Sequence, residues 1–310
     1  MHNEQSKNNN NPIFTPTDFY NELQSLPLKF EKTDTQQDCN EFLLKLFNII
    51  EKPSILSEVF EFNIKRVTQC ENCRSSRTSD EPQNILECPV PEKNGELSDC
   101  LNIYFKEEYL TGNTAYDCHS CQSKQNAKTK MGINSLPKVL LISLKRFKAN
   151  GLEKSHFAVK YPEKLCIKQW LSEDCSFDIT EEKEIYQLFA IVVHDSNKMT
   201  TGHYICYFKD EFTNIWYKAD DKFVTKTDSA LDMEKSVYLL CYVRSDVTES
   251  IKKISVSAIN SIDNQHIIIT DKKLLNDLEK QVQFRFCENV YPEQRRFSKA
   301  DAFGKLGSNE

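Results

Sequence analysis

Apolar positions along the chain change period from helical to alternating as the sequence runs forward. From Phe14 to Phe30, aromatic residues and leucines recur at helix-like spacing, interrupted by Pro16 and Pro27. Thr33-Asp34-Thr35 reads as a helix start, because short polar side chains satisfy the free amides of a first turn. Beyond it, Phe42, Leu43, Leu46, Phe47 and Ile50 fall three and four apart and predict one apolar helical face, ended by Pro53. Val59 to Val67 alternates, with Phe60, Phe62 and Ile64 on one side, and predicts a strand. Lys138 to Phe147 is nearly continuous in apolar residues, the pattern of a strand covered on both faces. Tyr186–His194, Tyr204–Phe208, Ile215–Tyr217 and Val237–Val243 complete a second half dominated by sheet. A helical start followed by sheet predicts an α+β fold.

The ends read differently. Met1 to Pro12 is polar and Asn-rich, which predicts a disordered leader. Residues 246–310 form an extension with one β-rich stretch, one helical stretch near Leu274 to Val282 and a polar end, to which no role attaches.

Charge and cysteine usage narrow the classes. A net charge of −6 disfavours a general nucleic-acid binder, which needs a basic face against phosphate, and suits a partner with a basic surface. No basic-then-apolar signal opens the chain, and its apolar runs are too short to span a bilayer. The expectation is a chain of the reducing cytosol or nucleus, its 12 cysteines being thiols or metal ligands rather than disulfides. Four of them form two Cys-x-x-Cys pairs, Cys70 with Cys73 and Cys118 with Cys121. Two such knuckles supply the four thiolates of a closed tetrahedral site, so the expected cofactor is structural zinc, with His119 able to replace one thiolate. The remaining cysteines stand beside apolar residues and read as buried structural thiols.

One histidine stands out. Gly202 precedes His203 at the start of a predicted strand, and Trp216-Tyr217-Lys218-Ala219-Asp220-Asp221 follows as a second strand ending in acid. A hairpin would bring Asp220 to His203, where a carboxylate fixes the tautomer and direction of an imidazole.

Together with His194 and Tyr207, these residues resemble the histidine box of the ubiquitin-specific proteases in order and spacing. Gln36-Gln37-Asp38-Cys39-Asn40-Glu41-Phe42-Leu43 resembles that family's Gln-Asp box, with Cys39 where a small residue is usual. Leu136 to Leu140 and Leu144-Lys145-Arg146-Phe147 are similar to its central strand motif, and the cysteine pairs stand where its zinc-bearing fingers belong. The resemblance implies a papain-like cysteine protease fold with fingers, palm and partial thumb over residues 13–245, divided near 58 and 130. It implies that ubiquitin and ubiquitinated proteins are the partners, and that the activity is that of a deubiquitinating thiol isopeptidase. His203 would be the general base, Asp220 its orienter, and Asp221 a support for the histidine or the oxyanion. Asp38 and Glu41 would face the basic tail of ubiquitin; without the resemblance they read as solvated or capping residues.

The family's nucleophile lies in a Gly-Asn-Thr-Cys-Tyr-like segment ahead of the Gln-Asp box, and no cysteine occurs between Met1 and Gln36. Cys39, read as lying inside the apolar helix, is a poor substitute. The expectation is an N-terminally incomplete catalytic domain, inactive alone, because loss of that segment would expose apolar thumb surface. The alternative is a pseudo-protease that binds ubiquitin without cutting it.

Overall fold

The computed structural model describes residues 21, 38–49, 55–147, 153–175, 180–196, 201–210, 213–221 and 223–250. All of these but Asn21 fall within the unit Phe30–Ile259. The α-helices include α1 (Cys39–Ile49), α2 (Ile55–Phe60), α3 (Leu97–Tyr104) and α4 (Glu181–Glu184), and residues 245–250 are also helical. The first strands are β1 (Phe62–Cys70), β2 (Ser76–Gln83), β3 (Leu86–Pro89), β4 (Gly95–Glu96), β5 (Glu108–Leu110), β6 (Tyr116–Cys118), β7 (Ser123–Gln125) and β8 (Ala127–Ile133). The others are β9 (Val139–Lys145), β10 (Val159–Lys160), β11 (Lys164–Cys166), β12 (Ile185–Asp195), β13 (His203–Lys209), β14 (Trp216–Asp220), β15 (Phe223–Lys226) and β16 (Val237–Arg244).

The large sheet has the order β15-β14-β13-β12-β16-β9-β3, with β11 paired to β12. Next to its edge strand β3 lies the continuous apolar run of β9, buried from Val139 to Leu144. Successive side chains of a strand point to opposite faces, and here each face meets a different core. Leu140, Ile142 and Leu144 join the main core, which also takes in Tyr186, Leu188, Ile191, Leu240 and Tyr242. Val139 and Leu141 join a smaller core with Phe47, Val59, Ile85 and Leu239. That second core holds α1 and α2 against the sheet. Buried on both sides, β9 has no position for polar alternation; Ser143, on the face toward α1, receives a hydrogen bond from the Asn40 amide.

The strand expected over Val59–Val67 begins later, at Phe62. Val59 and Phe60 belong to α2, because packing on α1 outweighs the local alternation: the Phe60 ring lies 5.2 Å from that of Phe47, and Val59 is in the second core. Phe62 and Ile64 nevertheless share a buried face as the pattern indicated. A four-stranded sheet of order β2-β1-β8-β5 and the β6–β7 hairpin project the cysteine pairs. The predicted helix start at residues 33–35, the leader and the helix near Leu274 lie outside the described residues, as does Pro53.

Candidate active site and metal centre

His203 opens β13 and faces two neighbours in the sheet. On one side it pairs with Asp195, the end of β12. On the other, β13 pairs with β14, and Cys206 stands opposite Ala219. That antiparallel register brings the imidazole to Asp220, with His203 Nε2 2.6 Å from Asp220 Oδ1. The second carboxylate oxygen receives the Lys218 ammonium at 2.8 Å. Lys218 and Asp220 are two apart on one strand and so share a face. The ammonium of Lys218, then the imidazole, hold the Asp220 carboxyl below its usual range. An ionised carboxylate only accepts, so Nε2–H donates and Nδ1 is left with its lone pair. The bond to Asp220 raises the imidazole's proton affinity, and Asp221 adds to it electrostatically. Asp220 is therefore a strand residue. The turn begins at Asp221, which has φ +51° and an exposed side chain, and whose carboxylate lies within 4.8 Å of the His203 and Asp220 ligand atoms.

Gly202 is required by contact as well as by its φ of +146°. A Cβ there would stand 2.5 Å from Ser196 Cβ and 2.6 Å from His194 Nε2. His194 itself is fully buried, packed edge-on against Phe147 and at a tilt against Tyr204 and Tyr238, and burial lowers its proton affinity. It is a packing residue that supports the turn into His203.

The carboxylates of the Gln-Asp segment take separate roles. Asp38 precedes α1 and caps it: Oδ1 accepts the amides of Asn40 at 2.7 Å and Glu41 at 3.3 Å. Its other oxygen accepts the hydroxyl of Tyr238, on β16. Glu41 is exposed and pairs with Lys45 at 2.7 Å along the helix. The two acids are thus not on one helix face. Both line a cleft of about 290 Å³ with Asn40, Phe147, Glu87 and Tyr238. Cys39 is the first residue of α1, not an interior one. Burial and the Asp38 charge nevertheless push its thiol up to about 12, the reverse of what an attacking thiolate needs. Asp220 is the only side chain hydrogen-bonded to His203 among the described residues. Gly112-Asn113-Thr114-Ala115-Tyr116 has the spelling of a nucleophile segment. Its first three residues form a single turn between β5 and β6, Tyr116 opens β6, and it holds no cysteine.

The four paired cysteines converge. Cys70 Sγ lies 3.9 Å from Cys121 Sγ, and Cys73 Sγ 3.6 Å from Cys118 Sγ. A tetrahedron of thiolates around a metal at about 2.3 Å has edges of about 3.8 Å, so the donors have the spacing of a closed site. Each knuckle ends in a left-handed residue directly after its second cysteine, Arg74 at φ +61° and Gln122 at φ +53°. The group consists of these four thiols, without His119.

Three residues that the sequence pattern did not single out complete the region: Lys218 on Asp220, Tyr238 on Asp38, and Arg146, which is 1% exposed. Arg146 donates to the carbonyls of Val237 at 2.6 Å, Glu234 at 2.6 Å, Phe157 at 2.8 Å and Ser155 at 3.2 Å. Lys218 was legible from its two-residue spacing to Asp220. Tyr238 was not, standing 200 residues from Asp38.

The chain is similar to known proteins. Ubiquitin carboxyl-terminal hydrolase 16 of Arabidopsis thaliana is 29% identical over 226 residues, covering 71% of this chain and 22% of its own length. Ubiquitin carboxyl-terminal hydrolase 17-like protein C of Mus musculus is 30% identical over 237 residues, covering 71% and 42%. The chain thus spans less than half the length of these relatives. The solved SAGA Ubp8/Sgf11/Sus1/Sgf73 DUB module bound to ubiquitin aldehyde matches with a TM-score of 0.57 and 29% identity, over 67% of this chain and 49% of that one. The family model for ubiquitin carboxyl-terminal hydrolase matches residues 1–242. With its α+β, papain-like architecture and its motifs in family order, the chain belongs to the ubiquitin carboxyl-terminal hydrolase family.

Proposed function

We propose that residues 13–245 are the ubiquitin-recognising part of a deubiquitinase, a thiol isopeptidase whose general base is His203. The contact of 2.6 Å between His203 and Asp220 carries this reading. With Nε2–H committed to Asp220, Nδ1 is the nitrogen that accepts a thiol proton and later returns it to the departing lysine amine. Asp220 fixes the tautomer and Asp221 stabilises the imidazolium. The partner follows from likeness: the SAGA module is described bound to ubiquitin aldehyde and, in a second structure, to monoubiquitin. The four thiols hold structural zinc, whose part is to fix the tip of the four-stranded sheet. Unpaired thiols at Cys88, Cys100 and Cys166 suit a cytosolic or nuclear setting.

The cleft beside α1 receives the basic tail of ubiquitin. Glu41 is the more available carboxylate there, since Asp38 is already engaged at both oxygens. Titrating the chain with ubiquitin tests this. Glu41→Gln is expected to weaken binding at unchanged stability, whereas Asp38→Ala also costs about 1–2 kcal/mol of stability through the lost cap. Absence of saturable binding by the wild-type chain overturns the reading.

One observation favours a second reading, ubiquitin binding without cleavage: the thiol of Cys39, in the Gln-Asp segment, is held protonated by burial and the Asp38 charge. A ubiquitin substrate with a fluorescent leaving group separates the two. Turnover by the chain lengthened with a Gly-Asn-Thr-Cys-Tyr-like segment, abolished by His203→Ala, supports the isopeptidase; ubiquitin binding with no turnover even by the lengthened chain supports the second reading.

A further inference from the structure

The position of the His203 imidazole depends on where the end of β12 stands, because His203 pairs there with Asp195. A third segment grips that end. The Lys154 ammonium donates to the carbonyl of His194 and, at 2.9 Å, to that of Ser196, one residue to either side of Asp195. Lys154 is in turn placed by its surroundings. It pairs with Phe147 in an isolated bridge, its ammonium 5.7 Å from that ring's centroid. The neighbouring Ser155 donates its amide to the Arg146 carbonyl at 2.7 Å and accepts from the Arg146 guanidinium. Gly202 closes the contact from the other side, since a Cβ there would stand 2.9 Å from the Asp195 carbonyl.

We propose that Lys154 is a positioning residue for His203: by holding the His194 and Ser196 carbonyls it fixes the end of β12, and through the Asp195–His203 pair and the Gly202 contact it holds the imidazole against Asp220. The inference rests on the reading of His203 as general base. Its chemistry suits the task. An ammonium directs three donors from one atom and bridges carbonyls that a neutral side chain would satisfy only singly. Its cation is kept there against resistance: burial, and then the Arg146 charge, lower Lys154 from 10.5 to about 8. A lysine serving solubility alone would extend into water, where no such cost arises.

The test uses the full chain with labelled histidine, followed by NMR across pH. Wild type is compared with Lys154→Met, Lys154→Gln and Lys154→Arg. In Lys154→Met the His203 midpoint is expected to fall toward the ordinary 6.5, and the Asp195 and His203 amides to exchange about tenfold faster, as expected for the loss of charge-assisted bonds that hold a strand end. Lys154→Arg, with donors enough for both carbonyls, restores both readouts. Lys154→Gln, which keeps donors but no charge, gives an intermediate midpoint and replaces Lys154→Met if that variant does not fold. A lower melting temperature with an unmoved His203 midpoint overturns the proposal, because Lys154 is then only a structural cap. Ubiquitin titration of the same samples separates the two readings. Wild type that binds ubiquitin while Lys154 variants leave His203 unmoved removes this inference alone; wild type that does not bind removes the functional reading.

Discussion

Replacing Arg146 with methionine removes a cation that no carboxylate neutralises among the described residues and that four backbone carbonyls surround. Hydrogen bonds from a charged donor contribute about 1.5–3 kcal/mol each, so the four amount to roughly 6–12 kcal/mol. Desolvation opposes them. Burial lowers Arg146 from 12.5 to about 10, and at about 1.4 kcal/mol per unit the charged form carries a penalty of roughly 3 kcal/mol. Methionine recovers part of the packing, but the carbonyls of Val237 and Glu234 lose their donor in a buried place. The expected loss is about 3–5 kcal/mol, the range seen when one side of a buried charged set is removed. Urea unfolding of the full chain, read by the fluorescence of the buried Trp170, measures it by linear extrapolation. Arg146→Lys should recover less than half, because a single nitrogen cannot span carbonyls contributed by residues on both sides of the site. A loss below about 1 kcal/mol at unchanged denaturant slope would refute the reasoning, since the four bonds would then be worth no more than the cost of burying the charge.

Other outcomes follow from the same geometry. His203 and His194 should titrate on opposite sides of 6.5, assigned by NMR with His203→Gln and His194→Gln. The raised His203 contributes stability fully below its unfolded value and loses it as pH rises through the folded one; the lowered His194 contributes above its unfolded value and loses it as pH falls. Midpoints on the same side would count against the assigned environments. Gly202→Ala places a Cβ 2.6 Å from His194 Nε2 at φ +146°, and a loss of about 1–3 kcal/mol is expected in the same urea assay; a neutral result would show that the turn relaxes freely. Metal analysis of the purified chain should find one zinc per chain, reduced to background in Cys118→Ser. Equal zinc in both would remove Cys118 from the site.

Much of the architecture was legible because it is written in local period. The apolar runs of β9, β12 and β16 and the three- and four-residue spacing of α1 each reflect the faces that solvent leaves them, so residue type along the chain reports them directly. The cysteine pairs were legible for a related reason: a knuckle is a local object, and two Cys-x-x-Cys pairs that converge have few uses other than holding a metal. The proximity of Asp220 to His203 was also within reach, because a strand, a turn and a strand make a hairpin.

Where the sequence pattern misled, a contact distant in the chain had overruled a local preference. Val59 and Phe60 alternate like strand residues but complete α2, since the second core offers Phe60 the ring of Phe47. Asp38 and Glu41 carry the same charge three residues apart, yet they take different roles. Whether a carboxylate stays available depends on which groups reach it, and Tyr238 arrives at Asp38 from β16. The sequence by itself indicated most element types, the four paired cysteines as candidate metal ligands and the order of the family motifs, because short-range periodicity and residue chemistry suffice for those. Only the tertiary structure decided that Asp38 is a cap, that Cys39 is a protonated thiol, that Lys154 grips the end of β12 and that Arg146 gathers the carbonyls of Ser155, Phe157, Glu234 and Val237. Those roles are set by burial and by partners tens to hundreds of residues away, which no local pattern encodes.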